Sequence, residues 1–172
     1  MQSQFTDKAR TALQLAERSA RKMKQGYVGT EHILLGLLEE GTGTAARVLV
    51  ENGADEQELK EMIRDLIAPV SPIPQKERDG YSPRAMAILE EAHRQAARFS
   101  SSLTGTEHIL LALIREGENV AVRLLNTCSL QPQKIYADTL AAMGQDPALY
   151  REDLGKKQKK KDTGYGDELF FP

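Results

Sequence analysis

The sequence predicts an all-α fold: two tandem, pseudo-symmetric four-helix repeats packed as one domain and followed by a disordered C-terminal tail. Three observations predict it. Thr30-Glu-His-Ile-Leu-Leu-Gly-Leu-Leu38 returns 76 positions later as Thr106-Glu-His-Ile-Leu-Leu-Ala-Leu-Ile114. Aligning Gly29–Leu49 with Gly105–Leu125 gives 13 identities in 21 positions, where chance gives about one or two at ordinary residue frequencies. Apolar residues recur at helical spacing in both copies, and no segment alternates as a strand does.

The first helix of the first copy keeps Ala9, Leu13, Ala16, Ala20 and Met23 on one face, and the second copy keeps Ala85, Leu89, Ala92, Ala96 and Phe99. Thr6 and Ser82 stand at N-cap positions, and Pro83 suits the first helical position because its missing N–H would be unpaired there anyway. Gly26 and Ser100–Ser102 end these helices. The second helix starts at Thr30 or Thr106, read as its cap, and ends near Gly41 or Gly117. A third, short helix covers about Thr44–Asn52 and Val120–Cys128. The fourth carries Leu59, Met62, Ile63 and Leu66 in the first copy. In the second it carries Ile135, Thr139 and Ala142, with Asp138 in place of Met62.

These marks divide the chain into a repeat domain at 1–145 (repeat one 5–68, linker 69–80, repeat two 81–144) and a linker or tail at 146–172. Ala68-Pro-Val-Ser-Pro-Ile-Pro74 and the charged run to Gly80 form the connector. Each repeat has about 70 residues, marginal for a core of its own, so the two are expected to pack together. Pro147–Leu154 can add a turn of helix, and the five lysines of Lys156–Lys161 open a solvated tail.

The composition excludes several function classes. With 172 residues, 40% apolar and 28% charged, and a net charge of −2, the chain has a normal soluble balance and no overall attraction to nucleic acid or an anionic membrane. No stretch approaches a membrane span, and Met1–Phe5 lacks the basic and apolar regions of a signal peptide. Cys128, the one cysteine, allows no internal disulfide and fits a reducing, cytoplasmic setting. It reads as a small apolar residue. A monomer is expected.

Catalytic chemistry is thin. Glu31-His32 and Glu107-His108 are adjacent pairs, without the His-Glu-x-x-His spacing that puts two metal ligands on one helix face. The histidines read as structural hydrogen-bonding groups at helix starts. No metal site and no cofactor is expected. Gly41-Thr-Gly43-Thr-Ala-Ala46 matches a dinucleotide fingerprint in form, but it follows a helix and its copy loses the second glycine, so it reads as a tight inter-helix turn. No phosphate-cradling Gly-x-x-x-x-Gly-Lys-Ser/Thr loop is present.

One arrangement occurs twice. Glu31 and Glu107 sit in the first turn of a helix, where the dipole favours an ionised carboxylate. Thr6 and Ser82 open another helix, whose N–H groups and cap hydroxyl can receive an anion, and Lys8 and Arg84 add a cation there. If the first two helix starts of each repeat lie close together, Glu31 with Thr6 and Glu107 with Ser82 each set a cation acceptor beside an anion acceptor. The same residues also serve simply as caps and dipole-matched charges, and spacing alone does not separate the two.

Phe5-Thr-Asp-Lys-Ala9, Gly29-Thr-Glu-His-Ile-Leu-Leu-Gly-Leu37, Tyr81-Ser-Pro-Arg-Ala85 and Gly105-Thr-Glu-His-Ile-Leu-Leu-Ala-Leu-Ile-Arg-Glu-Gly117 together resemble the Clp N-terminal repeat domain of ClpC-type AAA+ unfoldases, over about residues 5–143. The resemblance implies a non-catalytic domain that binds client and adaptor proteins at the mouth of an AAA+ ring working with a ClpP-type peptidase. It also implies recognition of phosphoarginine, with Glu31 and Glu107 on the guanidinium and Thr6 and Ser82 on the phosphate. Ser82 stands where threonine is more usual but keeps the hydroxyl, and Gly41–Thr44 departs from the commoner loop. The ATPase modules are absent from these 172 residues. The chain therefore reads as the N-terminal piece of such a protein or, alternatively, as a free-standing regulator competing for adaptors or clients.

Overall fold

The first helix, α1 (Asp7–Lys22), starts where the sequence sets a cap: Thr6 is extended, and its side chain accepts from the Ala9 N–H at 3.1 Å. It ends at Lys22 with Met23 as its C-cap, and Lys24, with a φ of 59°, then turns the chain away. The computed structural model describes residues 4–66 and 80–155. After α1 come α2 (Thr30–Glu40), α3 (Thr44–Glu51), α4 (Glu56–Leu66), α5 (Pro83–Arg98), α6 (Thr106–Glu116), α7 (Val120–Thr127), α8 (Pro132–Ala142) and a 3₁₀ turn at Pro147–Tyr150. Helices α1–α4 form one half and α5–α8 the other. Most of the expected connector and the lysine-rich tail lie outside the described residues.

Helices α2 and α6 are apolar all round and lie at the centre. Ile33, Leu34, Leu35, Leu37 and Leu38 are buried in one, and Ile109–Ile114 in the other. Around them one continuous core draws on both halves, with Leu13, Leu49, Leu59 and Ile63 from the first and Ile88, Leu89, Leu125 and Ile135 from the second. Gly36 explains the close crossing of α1 over α2: a Cβ there would overlap the Ala12 carbonyl and lie 3.1 Å from the Ala16 nitrogen.

Two short parallel backbone bridges tie the halves, Phe5 with Thr104 and Val28 with Tyr81. The Thr6 N–H donates to the Thr104 carbonyl at 2.9 Å, and the Ser82 N–H to the Val28 carbonyl at 3.0 Å. On the far side, the Asn52 amide donates to Asp138 at 2.9 Å, which gives the carboxylate in the Met62-equivalent position a partner in the other half.

Two details differ from the sequence reading. The caps of α2 and α6 are Gly29 and Gly105, not Thr30 and Thr106. The histidine two residues beyond each threonine supplies the side-chain acceptor: His32 Nδ1 takes the Gly29 N–H at 3.0 Å, and His108 Nδ1 takes the Gly105 N–H at 2.9 Å. On α8 the buried face is Ile135, Tyr136, Thr139 and Leu140, while Ala142 is exposed. Tyr136 is pulled inward because its hydroxyl finds Asp153 at 2.6 Å. Asp153 also takes two hydrogen bonds from Arg98, at 3.0 and 3.1 Å, and Tyr150 meets Phe99 edge-on, so residues 147–154 pack against the second half.

Candidate functional site

The glutamate that opens the second helix of each repeat folds back on the backbone just before it. The Glu31 carboxylate folds back over Gly29, where an added Cβ would lie 2.5 Å from its Oε1. Glu107 does the same over Gly105, at 2.6 Å. Any side chain at these caps would displace the carboxylate, which is why both are glycine. Glu31 is 8% exposed, and burial raises its pKa, partly opposed by its own backbone N–H and by Arg123. Glu107 is more exposed. His32 is pushed down to about 4 by burial, and His108 is lowered for the same reason. Both rings are therefore neutral at pH 7, as befits nitrogens that accept backbone hydrogen bonds.

Thr6 and Ser82 use their side-chain oxygens to cap α1 and α5, each at 3.1 Å. An oxygen that accepts from the helix leaves its own proton to be donated outward. Lys8 Nζ reaches the Thr42 carbonyl at 3.3 Å. Arg84 reaches Glu116 Oε2 and the Glu118 carbonyl, both at 2.7 Å.

The expected pairing of these residues within each repeat is corrected. Lys8 at Thr42 puts the start of α1 at the C-terminal end of α2, and Glu31 is at the other end of that 11-residue helix, about 16 Å away at 1.5 Å per residue. Thr6 instead bonds to Thr104, immediately before the Gly105 that Glu107 covers. Ser82 bonds to Val28, immediately before the Gly29 that Glu31 covers. The structure brings together Thr6 with Glu107 and Ser82 with Glu31.

A third helix start completes each group. The Ala45 N–H, at the tip of α3, donates to Thr106 Oγ1 at 3.3 Å, and the Ala121 N–H, at the tip of α7, donates to Thr30 Oγ1 at 3.3 Å. So α1, α3 and α6 begin together, and α5, α7 and α2 begin together. Three positive helix ends beside Glu107 in one group and Glu31 in the other can receive an anion and a cation side by side, with Glu40 and Glu116 already on the turns before α3 and α7. The sequence reading missed the α3 and α7 tips and Arg123. Arg47 and Arg123 are identical residues at the repeat offset, a signal that was available. Among the described residues no group of three or more His, Cys, Asp or Glu is placed to hold a metal ion, and no helix is long and apolar enough to cross a membrane.

Residues 4–128 match the family model of the Clp repeat (R) N-terminal domain. The chain belongs to that family. It is 38% identical over 146 residues to the negative regulator of genetic competence ClpC/MecB of Bacillus subtilis, covering 85% of this chain and 18% of that protein. It is 37% identical over 163 residues to the chloroplastic chaperone protein ClpC of Pisum sativum, covering 95% of this chain and 18% of that one. The chain thus spans under a fifth of the length of these relatives. The family's fold recurs in the N-terminal domain of ClpD from Arabidopsis thaliana (TM-score 0.69, 18% identity, 83% of this chain and 96% of that one). It recurs too in the Hsp104 N-terminal domain from Candida albicans (TM-score 0.67, 17% identity, 83% and 96%).

Proposed function

We propose that this domain is a non-catalytic recognition module that delivers client and adaptor proteins to a cytoplasmic, ATP-driven Clp-type unfoldase ring working with a ClpP-type peptidase, and that it binds phosphoarginine-marked proteins. Family membership supports the module. The observation that carries the ligand is the convergence, twice, of three helix N-termini and a cap hydroxyl beside the glutamate of a Thr-Glu-His helix start, Glu107 in one group and Glu31 in the other. A phosphoarginine side chain needs a carboxylate for its guanidinium nitrogens and N–H or O–H donors for its phosphoryl oxygens. In this reading Glu107 takes the guanidinium in one pocket, with Thr6 and the tips of α1 and α3 on the phosphoryl group and Lys8 beside it. Glu31 takes it in the other, with Ser82, the tips of α5 and α7, and Arg84.

Titration of free phosphoarginine into the chain by calorimetry tests this. Binding is expected for the unmodified protein and is expected to vanish in the Glu31→Gln/Glu107→Gln double variant. Equal heats from both proteins would remove the two pockets from the account.

A further inference from the structure

The two pockets are related by the repeat but are not chemically alike, and three differences point the same way. Arg84 is already engaged by the Glu116 carboxylate at 2.7 Å, whereas among the described residues its equivalent Lys8 has no carboxylate partner and reaches the Thr42 carbonyl at 3.3 Å. Both equivalent glutamates fold back on the turn that follows, Glu40 on the Thr42 and Gly43 N–H groups at 3.1 and 2.7 Å and Glu116 on the Glu118 N–H and the Asn119 amide at 2.9 and 2.8 Å, but only Glu116 also holds the cation. The tip of α7 is filled by its own cap, because Asn119 Oδ1 accepts from the Val122 N–H at 2.9 Å. The cap of α3 is Gly43, which brings no side chain, but Glu40 Oε1 takes its N–H at 2.7 Å, so the two short-helix tips each carry an acceptor.

Pro83 at the first position of α5 has no N–H to offer, while Asp7 at the first position of α1 has one. The Asp7 carboxylate is turned to Arg10 and so is already paired. Finally, Glu31 is nearly buried and lies in the field of Arg123, whereas Glu107 is more open to an incoming guanidinium.

We propose that the pockets are unequal: the Thr6–Glu107 pocket is the tight phosphoarginine site and the Ser82–Glu31 pocket the weak one. This rests on the reading under Proposed function. A cation already held by a carboxylate has less to give a phosphoryl group, and a helix that opens on proline has one N–H fewer to give it. A protein carrying one phosphoarginine fills the Thr6–Glu107 side first, and the second pocket adds affinity when a second mark follows.

The experiment is a calorimetric titration of the full chain with free phosphoarginine. Two phases are expected, separated by at least about tenfold in Kd, the size of effect that charge-assisted hydrogen bonds support. Glu107→Gln should remove the tight phase and Glu31→Gln the weak one. Glu116→Gln, which releases Arg84, should narrow the gap. Two phases of equal Kd, or loss of the tight phase in Glu31→Gln, would overturn the inequality and leave the function standing. No binding at all by the unmodified chain would overturn both. Should a variant fail to fold, an amide-resolved NMR titration of the unmodified chain decides the point. The signals of Thr104–Glu107 must shift at lower ligand concentration than those of Val28–Glu31, and the reverse order overturns the proposal.

Discussion

At the scale of single residues, the two cap glycines separate binding from stability. A Cβ at residue 105 would meet the far end of a flexible glutamate, not the backbone, so the carboxylate can swing aside at little cost. Gly105→Ala is therefore expected to weaken phosphoarginine binding severalfold while changing unfolding free energy by less than about 1 kcal/mol, as compatible glycine-to-alanine changes do. Parallel calorimetry and urea melts check this; a large stability loss without a binding loss would contradict it. His32 gives a pH dependence. Burial holds it down to about 4 from 6.5, so the unfolded chain takes up the proton first and the folded state loses stability as pH falls from 6.5 towards 4. The contribution at stake is about 3 kcal/mol at 1.36 kcal/mol per pH unit. Glu31, raised from 4.5 by burial, acts in the opposite sense above pH 4.5. His32→Gln keeps an acceptor at the third helical position, so its stability should vary less than the parent's between pH 6.5 and 4. Curves that stay parallel in urea melts would show that His32 does not carry the effect.

At the scale of elements, the helices were legible because apolar spacing and turn residues mark them directly. The caps at Thr6, Ser82 and the φ-positive Gly41 and Gly117 are local features, and local features are written in the sequence. The cap assignment at Thr30 and Thr106 went one residue astray because each threonine hydroxyl is committed to a helix tip in the other half. No local rule reports that partner. Likewise Ala142 yields the buried face of α8 to Tyr136 and Leu140 because Asp153, far along the chain, receives the Tyr136 hydroxyl. Gly36 and Ala112, equivalent in the repeat, show the packing difference between the halves. Only Gly36 sits where a Cβ would strike a neighbouring backbone carbonyl. Gly36→Ala should cost about 1–3 kcal/mol despite its better helix propensity, since overpacking against backbone cannot relax by a rotamer change. Chemical denaturation measures it, and a stabilised Gly36→Ala protein would mean that α1 and α2 can move apart freely.

At the scale of the whole molecule, the duplication was legible and the exchange between its halves was not. Self-similarity reports that two units exist, and their small size says that they pack together, but the pairing of Thr6 with Glu107 depends on which edges meet. The bridges at Phe5–Thr104 and Val28–Tyr81 settle that. Each proposed pocket therefore draws its glutamate from one half and its cap hydroxyl from the other, and neither is complete without the docking of both. The pairing makes a prediction that a within-repeat pairing would reverse. If Thr6 and Glu107 serve one ligand as proposed, the effects of Thr6→Ala and Glu107→Gln on phosphoarginine affinity should couple by roughly 0.5–3 kcal/mol, the range for residues sharing a partner. Thr6→Ala and Glu31→Gln act on different ligands and should simply add, each removing its own phase of the titration. A double-mutant cycle over the three substitutions reads both terms at once. Coupling of Thr6 to Glu31 with none to Glu107 would show that the ligand follows the order of the chain and not the contacts between its halves.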